Sequence, residues 1–376
     1  MVADRNRRGY QGLLEQFWQN ALSWGLPLPQ DKPVSAAAFC KARLKLPGSL
    51  LRELLKSVHG QLVARFGSQS LWKGRRVYAI DGCKFNLKRT EELEIEFRGS
   101  SGGHLPQVLV CTLYDLLAEI PVAQVELPYD AGERDSLDTL LEQLKPGDLL
   151  ILDRGYPSFD VFQKLLERGI DFLIRVPNSF KNLTVTRHDR TVECPPRKRG
   201  AQPLSLRTVR SEVNGSSQYF VTTLSKEEAT HNDLLELYHQ RWQVEEFYKV
   251  LKGDLSQGNF RSQTPDGVIQ ELLLAALYAA LSRYLIAAAQ VSHPVPTDSG
   301  HLHDSFKAAS LALADALATL ILATAREQRE DTLQRLLDRI ARARTKVRPG
   351  RSFPRRSWQP QPRWGPAGRN RGSGKG

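Results

Sequence analysis

The stretch DLLILDRGYPSFDVFQKLLERGIDFLIRV, residues 148–176, contains three consecutive predicted elements. Residues 148–153 form a short apolar run that is typical of a buried strand and ends in an aspartate. Residues 157–168 have helical spacing, and residues 171–176 form a second apolar run. This alternation predicts a sheet that is covered by helices.

The residues before this stretch extend the same pattern. Apolar runs at 77–81, 105–115 and 118–127 predict three strands of an antiparallel meander, and a helix is expected at 133–144. The order β-β-β-α-β-α-β predicts an α/β fold with a mixed sheet and flanking helices. Asp81 and Asp153 are both expected at strand C-termini, where open sheets of this class tend to place ligands.

The residues after this stretch first break the alternation and then become helical. Residues 177–225 read as short strands, a β-rich insertion that includes the basic loop PPRKRG at 195–200. That loop suits phosphate binding or a solvated turn. Helices are predicted at 233–252, where Asp233 and Glu236 have capping-box spacing, at 267–290 and at 305–342.

Residues 35–66 alternate apolar and basic positions, and Pro47-Gly48 divides them into two predicted helices. Their basic residues fit either a DNA-binding helix-turn-helix or the solvated face of a packing helix. The chain is predicted to divide into a helical N-terminal region that is a candidate for DNA contact (1–72), the first part of the core (73–176), the β-rich insertion (177–228), the second part of the core (229–290), a helical region (291–345) and an extended basic tail (346–376).

The predicted helix at 233–252 gathers unusual polar residues on one face. At 100° per residue, Tyr238, Arg241, Glu245 and Lys252 share an arc of about 60° beside an apolar stripe. Ordinary ion pairs such as Arg241 with Glu245 would explain part of this pattern. Glu246 lies away from the arc, so Glu245 is the preferred ligand, and Trp242 is open to base stacking or to core packing.

Three motifs carry a family resemblance. The spacing Tyr-x2-Arg-x3-Glu-x6-Lys within LYHQRWQVEEFYKVLK, residues 237–252, resembles the motif of cut-and-paste insertion-sequence transposases of the DDE class. Ile80-Asp81-Gly82 resembles the first catalytic strand of that family, and residues 152–156, LDRGY, resemble the second. The closing run SFPRRSWQPQPRW, residues 352–364, is similar to the C-terminal ends of such enzymes.

The resemblance implies a ribonuclease H-like core in which Asp81, Asp153 and Glu245 are catalytic and bind metal, with the β insertion before the glutamate. Two Mg²⁺ ions about 3.5–4 Å apart would activate a water or 3′-hydroxyl and stabilise the leaving oxygen, and Mn²⁺ can substitute. The resemblance also implies a set of DNA-binding residues. They are Tyr238, Arg241 and Lys252, which are expected to hold DNA phosphates. Apart from the motif, Trp242 and the tail residues Arg355 and Arg356 are also predicted to bind DNA.

The charge of the chain is uneven. The formal net charge is +12, and residues 339–376 hold twelve basic residues and no acidic residue, so residues 1–338 are balanced. A basic tail is expected to bind a polyanion such as nucleic acid. The composition excludes wholly disordered, collagen-like and disulfide-stapled proteins, because 41 % of the residues are apolar and the four cysteines form no CxxC pair.

These patterns lead to one principal functional hypothesis. We expect a Mg²⁺-dependent DNA transposase that cuts at element ends and joins the 3′-hydroxyl to target DNA. Double-stranded DNA is the expected partner, in a homodimer or larger assembly by family analogy, and the expected location is cytoplasmic, on DNA and not in a membrane. The alternatives are a nuclease on the same core without joining activity and a non-catalytic DNA-binding derivative.

Overall fold

The computed structural model describes residues 9–99, 103, 105–181, 183–184, 189–196, 202–213, 215–253, 260–295 and 302–346. Its helices are α1 Tyr10–Ser23, α2 Ala36–Arg43, α3 Gly48–Phe66, α4 Glu91–Phe97, α5 Leu137–Leu141, α6 Phe159–Glu167, α7 His231–His239, α8 Trp242–Lys252, α9 Pro265–Ser292, α10 Phe306–Leu322 and α11 Arg326–Arg342. The strands are β1 Val77–Asn86, β2 Gln107–Asp115, β3 Ile120–Pro128, β4 Leu149–Leu152, β5 Asp171–Val176, β6 Asp189–Cys194, β7 Leu204–Val213, β8 Ser216–Thr222, β9 Leu302–His303 and β10 Thr345–Lys346.

One mixed sheet of eight strands organises the fold, in the order β3-β2-β1-β4-β5-β8-β7-β6. Strands β1, β4 and β5 run parallel to one another, and the remaining neighbours are antiparallel. The predicted antiparallel meander of β1, β2 and β3 is confirmed. Helix α4 between β1 and β2 was not predicted, because seven residues are too few to display a clear helical period.

Helices cover both faces of the sheet, and two apolar cores result. One core joins Val77, Ala79 and Ile151 to apolar residues of α3, α8, α9, α10 and α11. The other core joins Ile80, Leu150 and further sheet residues to α5 and α6. Alternate residues of β1 and β4 therefore point to opposite cores, as expected for strands buried on both faces.

The predicted β-rich insertion does not form a separate layer. Strand β8 pairs antiparallel with β5 from Leu173↔Thr222 to Val176↔Tyr219, and β7 and β6 continue the sheet beyond β8. The three strands therefore extend the central sheet. Arg207, which is buried on β7, binds Asp189 and the carbonyl oxygens of Leu224, Ser225 and Ala229.

The single helix predicted at 233–252 is wrong, because the chain forms α7 and α8 with a break between them. The N–H groups of Gln240, Arg241 and Gln243 bond to carbonyls three residues back, which tightens the backbone at this point. The predicted capping box of Asp233 and Glu236 is also wrong. Thr230 is the N-cap residue of α7, and Asp233 is its reciprocal partner.

The C-terminal helices differ from the prediction in the same way. The helix predicted at 305–342 is interrupted at residues 323–325, where Ala323 and Ala325 have extended backbone, so α11 packs back on α9 and α10. Helix α9 is long and apolar enough to span a membrane by composition, but 61 % of its most apolar window is buried inside the protein. It is the central core helix of the protein and corresponds to the helix predicted at 267–290.

The N-terminal helices are fixed to α9. Arg43 donates hydrogen bonds to Ser262 Oγ at 3.1 Å, to the Gly267 carbonyl at 3.0 Å and to Gln270 Oε1 at 3.2 Å, and it pairs with Glu271. Arg52 on α3 pairs with the buried carboxylate of Glu126. These two arginines therefore hold helices in place and do not form a DNA-facing surface.

Candidate active site

Asp81 and Asp153 lie side by side at the end of the parallel strand pair. Ala79 pairs with Ile151 in the β1–β4 ladder, and each aspartate is two residues further along the chain, Asp81 within β1 and Asp153 directly after β4. Side chains two residues apart point to the same face, and neighbouring strands are about 4.8 Å apart. The two carboxylates therefore share the face on which α8 and α9 pack.

The expected strand-end position is confirmed for Asp153 and wrong for Asp81. Asp153 directly follows β4, and its Oδ1 accepts the Gly155 N–H at 2.7 Å, which fixes the loop after the strand. Asp81 lies in the middle of β1, because pairing with β2 continues to Asn86 after pairing with β4 has ended. Asp81 therefore has a paired strand, β2, on one side only, and the end of β4 leaves its other side open to a binding site.

Glu245 reaches the same place from α8. Arg241 Nη2 donates to Glu245 Oε1 at 2.6 Å, and Arg241 Nη1 is 3.7 Å from Asp81 Oδ1. Arg241 is only 8 % exposed, so its guanidinium lies between the two carboxylates and not in solvent. The i, i+4 ion pair considered from spacing is present, and it is part of a larger buried charge cluster.

The electrostatics of the cluster are unfavourable for its carboxylates. Burial, together with the neighbouring charges of Glu133, Glu245 and Asp153, raises the pKa of Asp81 to about 7 against the lowering effect of Arg241. Negative charge is therefore in excess around Asp81 at this end of the sheet. Such an arrangement favours the binding of an added cation.

Two residues of this region were missed by the sequence reasoning. Tyr248 is buried on α8, and its Oη lies 2.8 Å from the Asp81 carbonyl oxygen and 2.9 Å from that of Val110, which ties the helix to the sheet at the site. Glu133 brings a further carboxylate beside Asp81. The helical spacing of Tyr248 with Val244 indicates a buried side chain but not its contact with the Asp81 carbonyl group, and nothing in the sequence separates Glu133 from Asp135 or Asp138.

The remaining residues predicted on this helix surround the cluster. The Tyr238 ring packs edge-on against Phe220 at 4.8 Å, and the Arg241 guanidinium carbon is 5.9 Å from its centroid. Lys252 is exposed, with its Nζ 4.9 Å from the Phe85 ring. Trp242 is 48 % exposed, so core packing, one of its two interpretations, is wrong.

Several other candidates lie elsewhere. Arg355, Arg356 and residues 197–200 of the basic loop lie outside the described residues. Asp115 begins a turn, and it is fully buried and paired with His59 and Arg76 at 3.1 and 3.2 Å. It is therefore a structural carboxylate, distant from the cluster along the strand.

The donor set suits a hard divalent cation. Carboxylate oxygens are the ligands that Mg²⁺ prefers, and Asp81, Asp153 and Glu245 supply them beside an excess of negative charge. In the described part of the chain, no three acidic, His or Cys side chains are drawn together as a closed metal cage. The Arg241 guanidinium instead provides the positive charge between Asp81 and Glu245. The three carboxylates fit a divalent cation by the chemistry of their oxygen atoms.

Among the comparisons with known proteins, the family match agrees with this picture. Residues 72–281 match the family described as "Transposase DDE domain". Among solved structures, the chain is similar to a piggyBac transposase in a synaptic complex with hairpin DNA, at 11 % identity and a TM-score of 0.44. That match covers 74 % of this chain and 59 % of the other, so the chain spans about three fifths of the length of that relative. Among curated proteins, none matches this sequence.

The family match covers more than half of the chain, including β1 with Asp81, β4 with Asp153 and α8 with Glu245. It confirms the resemblance drawn from the three motifs and, together with the observed mixed sheet, the predicted ribonuclease H-like fold. The chain therefore belongs to the DDE-domain transposase family, whose proteins act in DNA transposition and recombination.

Proposed function

We propose that this protein is a Mg²⁺-dependent DNA transposase that hydrolyses phosphodiester bonds at element ends and transfers the 3′-hydroxyl into target DNA. The observation that carries the proposal is the convergence of carboxylates from three separate elements, β1, the residue after β4 and α8, on one face of the sheet. Asp81, Asp153 and Glu245 would hold the Mg²⁺ ions. When bound, these ions activate the attacking oxygen and stabilise the leaving oxygen.

The protein residues have distinct roles in this proposal. Tyr248 holds α8 against the sheet at Asp81, so that Glu245 faces the aspartates. The planar guanidinium of Arg241 is suited to a bidentate phosphate contact once cation charge replaces it between the carboxylates. Trp242 and Lys252 are exposed at opposite ends of α8. Together with Tyr238 they form the proposed DNA-binding surface.

A strand-transfer assay tests the proposal. The full chain would be incubated with Mg²⁺, target DNA and linear DNA that ends in the inverted repeats flanking its own reading frame. We expect 3′-hydroxyl ends to form and then to be joined to the target. Cutting without preference for these ends and without joining would support the nuclease alternative, and Mg²⁺-insensitive binding without cutting would support the non-catalytic one.

Trp242 provides a prediction on DNA binding. Stacking of one base on an aromatic side chain contributes about 1–3 kcal/mol, so Trp242→Ala should weaken binding of end DNA by that amount in a fluorescence anisotropy titration. Trp24→Ala is the matched control, because Trp24 is 41 % exposed at the end of α1. Equal losses for the two variants would contradict a specific contact by Trp242.

The basic tail provides a second prediction. Arg339, Arg342 and Arg344 belong to the folded protein, because Ile340 is fully buried and Arg344 pairs with Asp304. A variant that lacks only the tail must therefore end at Lys346. Residues 347–376 contain eight basic residues and no acidic residue. Each lost phosphate contact should remove about 0.9 from the slope of log affinity against log salt.

The salt dependence is measured by titrating DNA at several salt concentrations. Arg326→Gln with Arg335→Gln is the control, because both arginines are exposed on α11 and paired with acidic residues of the same helix. We expect the truncated chain to have a flatter slope and the control to keep the original slope. An unchanged slope for the truncated chain would remove the tail from the DNA contact.

A further inference from the structure

Glu133 lies directly against the backbone beside Asp81. A side-chain carbon placed on Gly82 would lie only 2.6 Å from Glu133 Cγ and 2.7 Å from its Cδ and Oε1. Real Cβ atoms do not approach other atoms so closely, so the space that any other residue would fill at position 82 is taken by the Glu133 carboxyl group. Position 82 points to the sheet face that α5 and α6 cover, opposite to the face of Asp81. Glu133 therefore approaches Asp81 from across the sheet, at the point where pairing between β1 and β4 has ended, and the missing side chain of Gly82 leaves space for its carboxyl group.

The turn that carries Glu133 is attached to the Asp153 loop. Arg134 Nε donates to the Gly155 carbonyl at 2.8 Å, and Arg134 Nη2 donates to the Pro157 carbonyl at 3.2 Å. Ser136 Oγ donates to the Glu133 carbonyl at 2.7 Å, which stabilises the turn itself. Glu133 is thus held between Gly82 on one side and the loop after Asp153 on the other.

Tyr156 points into the same cluster. Its side chain is fully buried, and within the described residues its Oη has no partner in full hydrogen-bond geometry. The acidic groups that interact with this hydroxyl are Glu133 and Asp81. A buried hydroxyl group without a hydrogen-bond partner costs free energy, so the buried Tyr156 hydroxyl requires an explanation. Orientation of the Glu133 carboxylate toward the site explains its position.

Neighbouring positive charges do not fully compensate the negative charge of the Glu133 carboxylate. In the described part of the chain Glu133 has no ion pair within 4.0 Å, although Arg241 and Lys84 are near enough to stabilise its charge weakly. Burial raises the pKa of Glu133, and Asp153 adds to that effect. A further carboxylate among three others would only destabilise the protein unless it had a cationic partner.

We propose that Glu133 is a fourth carboxylate of the active site and supplies a ligand oxygen to a divalent cation held with Asp81 and Asp153. The inference rests on the proposed function. Glu133 comes from a part of the chain between β3 and β4 that contains none of the three motifs. Gly82 provides its space, Arg134 attaches its turn to the Asp153 loop, and Tyr156 orients its carboxylate.

Mn²⁺ binding to the metal-free full chain tests this role without measuring catalysis. The electron paramagnetic resonance signal of free Mn²⁺ would be titrated with wild type, Glu133→Gln and Asp81→Asn. Asp135→Asn is the matched control, because Asp135 lies in the same turn and its carboxylate accepts the Gly132 N–H, which an asparagine can also do. We expect Glu133→Gln and Asp81→Asn each to weaken Mn²⁺ binding by about tenfold or more and Asp135→Asn to have no effect.

A melting curve in EDTA separates metal binding from a structural role. Removal of a repelling carboxylate should leave the melting temperature of Glu133→Gln unchanged or higher, whereas loss of a structural contact would lower it. Wild-type affinity in Glu133→Gln, with weakened binding in Asp81→Asn, would overturn the role of Glu133 and leave the proposed function standing. A lowered melting temperature would also overturn it, and a wild type that binds no Mn²⁺ would overturn both proposals.

Discussion

Asp153→Asn is expected to reduce both end cleavage and strand transfer by at least about 10²-fold, the loss that follows removal of one group stabilising developing charge. The substitution removes a ligand charge and keeps the shape of the side chain. Asparagine Oδ1 can still accept the Gly155 N–H, so the loop after β4 should keep its conformation. The effect should therefore fall on chemistry and not on folding, as measured by product formation over time at saturating Mg²⁺.

Asp138→Asn is the matched control for this variant. Asp138 has a side chain that is 66 % exposed on α5 and paired with Lys164, away from the cluster. We expect full activity from it. DNA binding by Asp153→Asn should be equal to or tighter than that of wild type, because a negative charge near the phosphates has been removed. Full cleavage activity in Asp153→Asn would contradict the proposed mechanism.

Arg43→Ala is expected to have the largest effect on stability. The buried guanidinium joins α2 to the start of α9 through Ser262, Gly267 and Gln270, and its removal leaves the carboxylate of Glu271 without its ion-pair partner. Loss of one partner from a buried ion pair costs about 3–5 kcal/mol. The free energy of unfolding, measured by denaturant titration in the absence of DNA, should fall by about this amount.

Lys41→Ala separates this effect from a general loss of positive charge. Lys41 is exposed on the same helix, and substitutions at such positions usually change stability by less than about 0.5 kcal/mol. If Arg43→Ala weakened DNA binding without lowering the free energy of unfolding, the DNA-binding interpretation of these helices would be correct. Unchanged stability would contradict the structural role of Arg43.

The sheet and most of its strands could be predicted from local patterns. The run DFLIRV is strand β5 at residues 171–176, because a continuous apolar run is what a strand buried on both faces requires. The position of β6, β7 and β8 could not be predicted. Alternating short strands indicate β structure, but their pairing to the edge of β5 depends on contacts distant in sequence.

The helix breaks were missed for a physical reason. Gln240-Arg241 and residues 323–325 contain neither glycine nor proline, so local propensity favours a continuous helix at both places. Tertiary packing overrides that propensity, since α8 must place Val244 and Phe247 on the sheet while Tyr238 packs on Phe220. A single straight helix still predicts that Arg241 and Glu245 lie together, because Arg241 is the N-cap residue of α8 and Glu245 is in its first turn.

The candidate site was partly predictable for a similar reason. Asp81, Asp153 and Glu245 were each recognisable by a motif, and the structure brings their elements together. Glu133 and Tyr248 were not, because their importance depends on what lies opposite them: Gly82 for the first and the carbonyl groups of Asp81 and Val110 for the second. Such pairings have no signature in a single sequence.

The central claim is that carboxylates from β1, the end of β4 and α8 form one metal centre. Fe²⁺ substituted for Mg²⁺, with ascorbate and peroxide, produces hydroxyl radicals that cut the backbone next to the bound ion. We expect three clusters of cuts, near Asp81, Asp153 and Glu245, all suppressed by excess Mg²⁺. Cuts confined to other parts of the chain, or cuts at these residues that Mg²⁺ does not suppress, would contradict it.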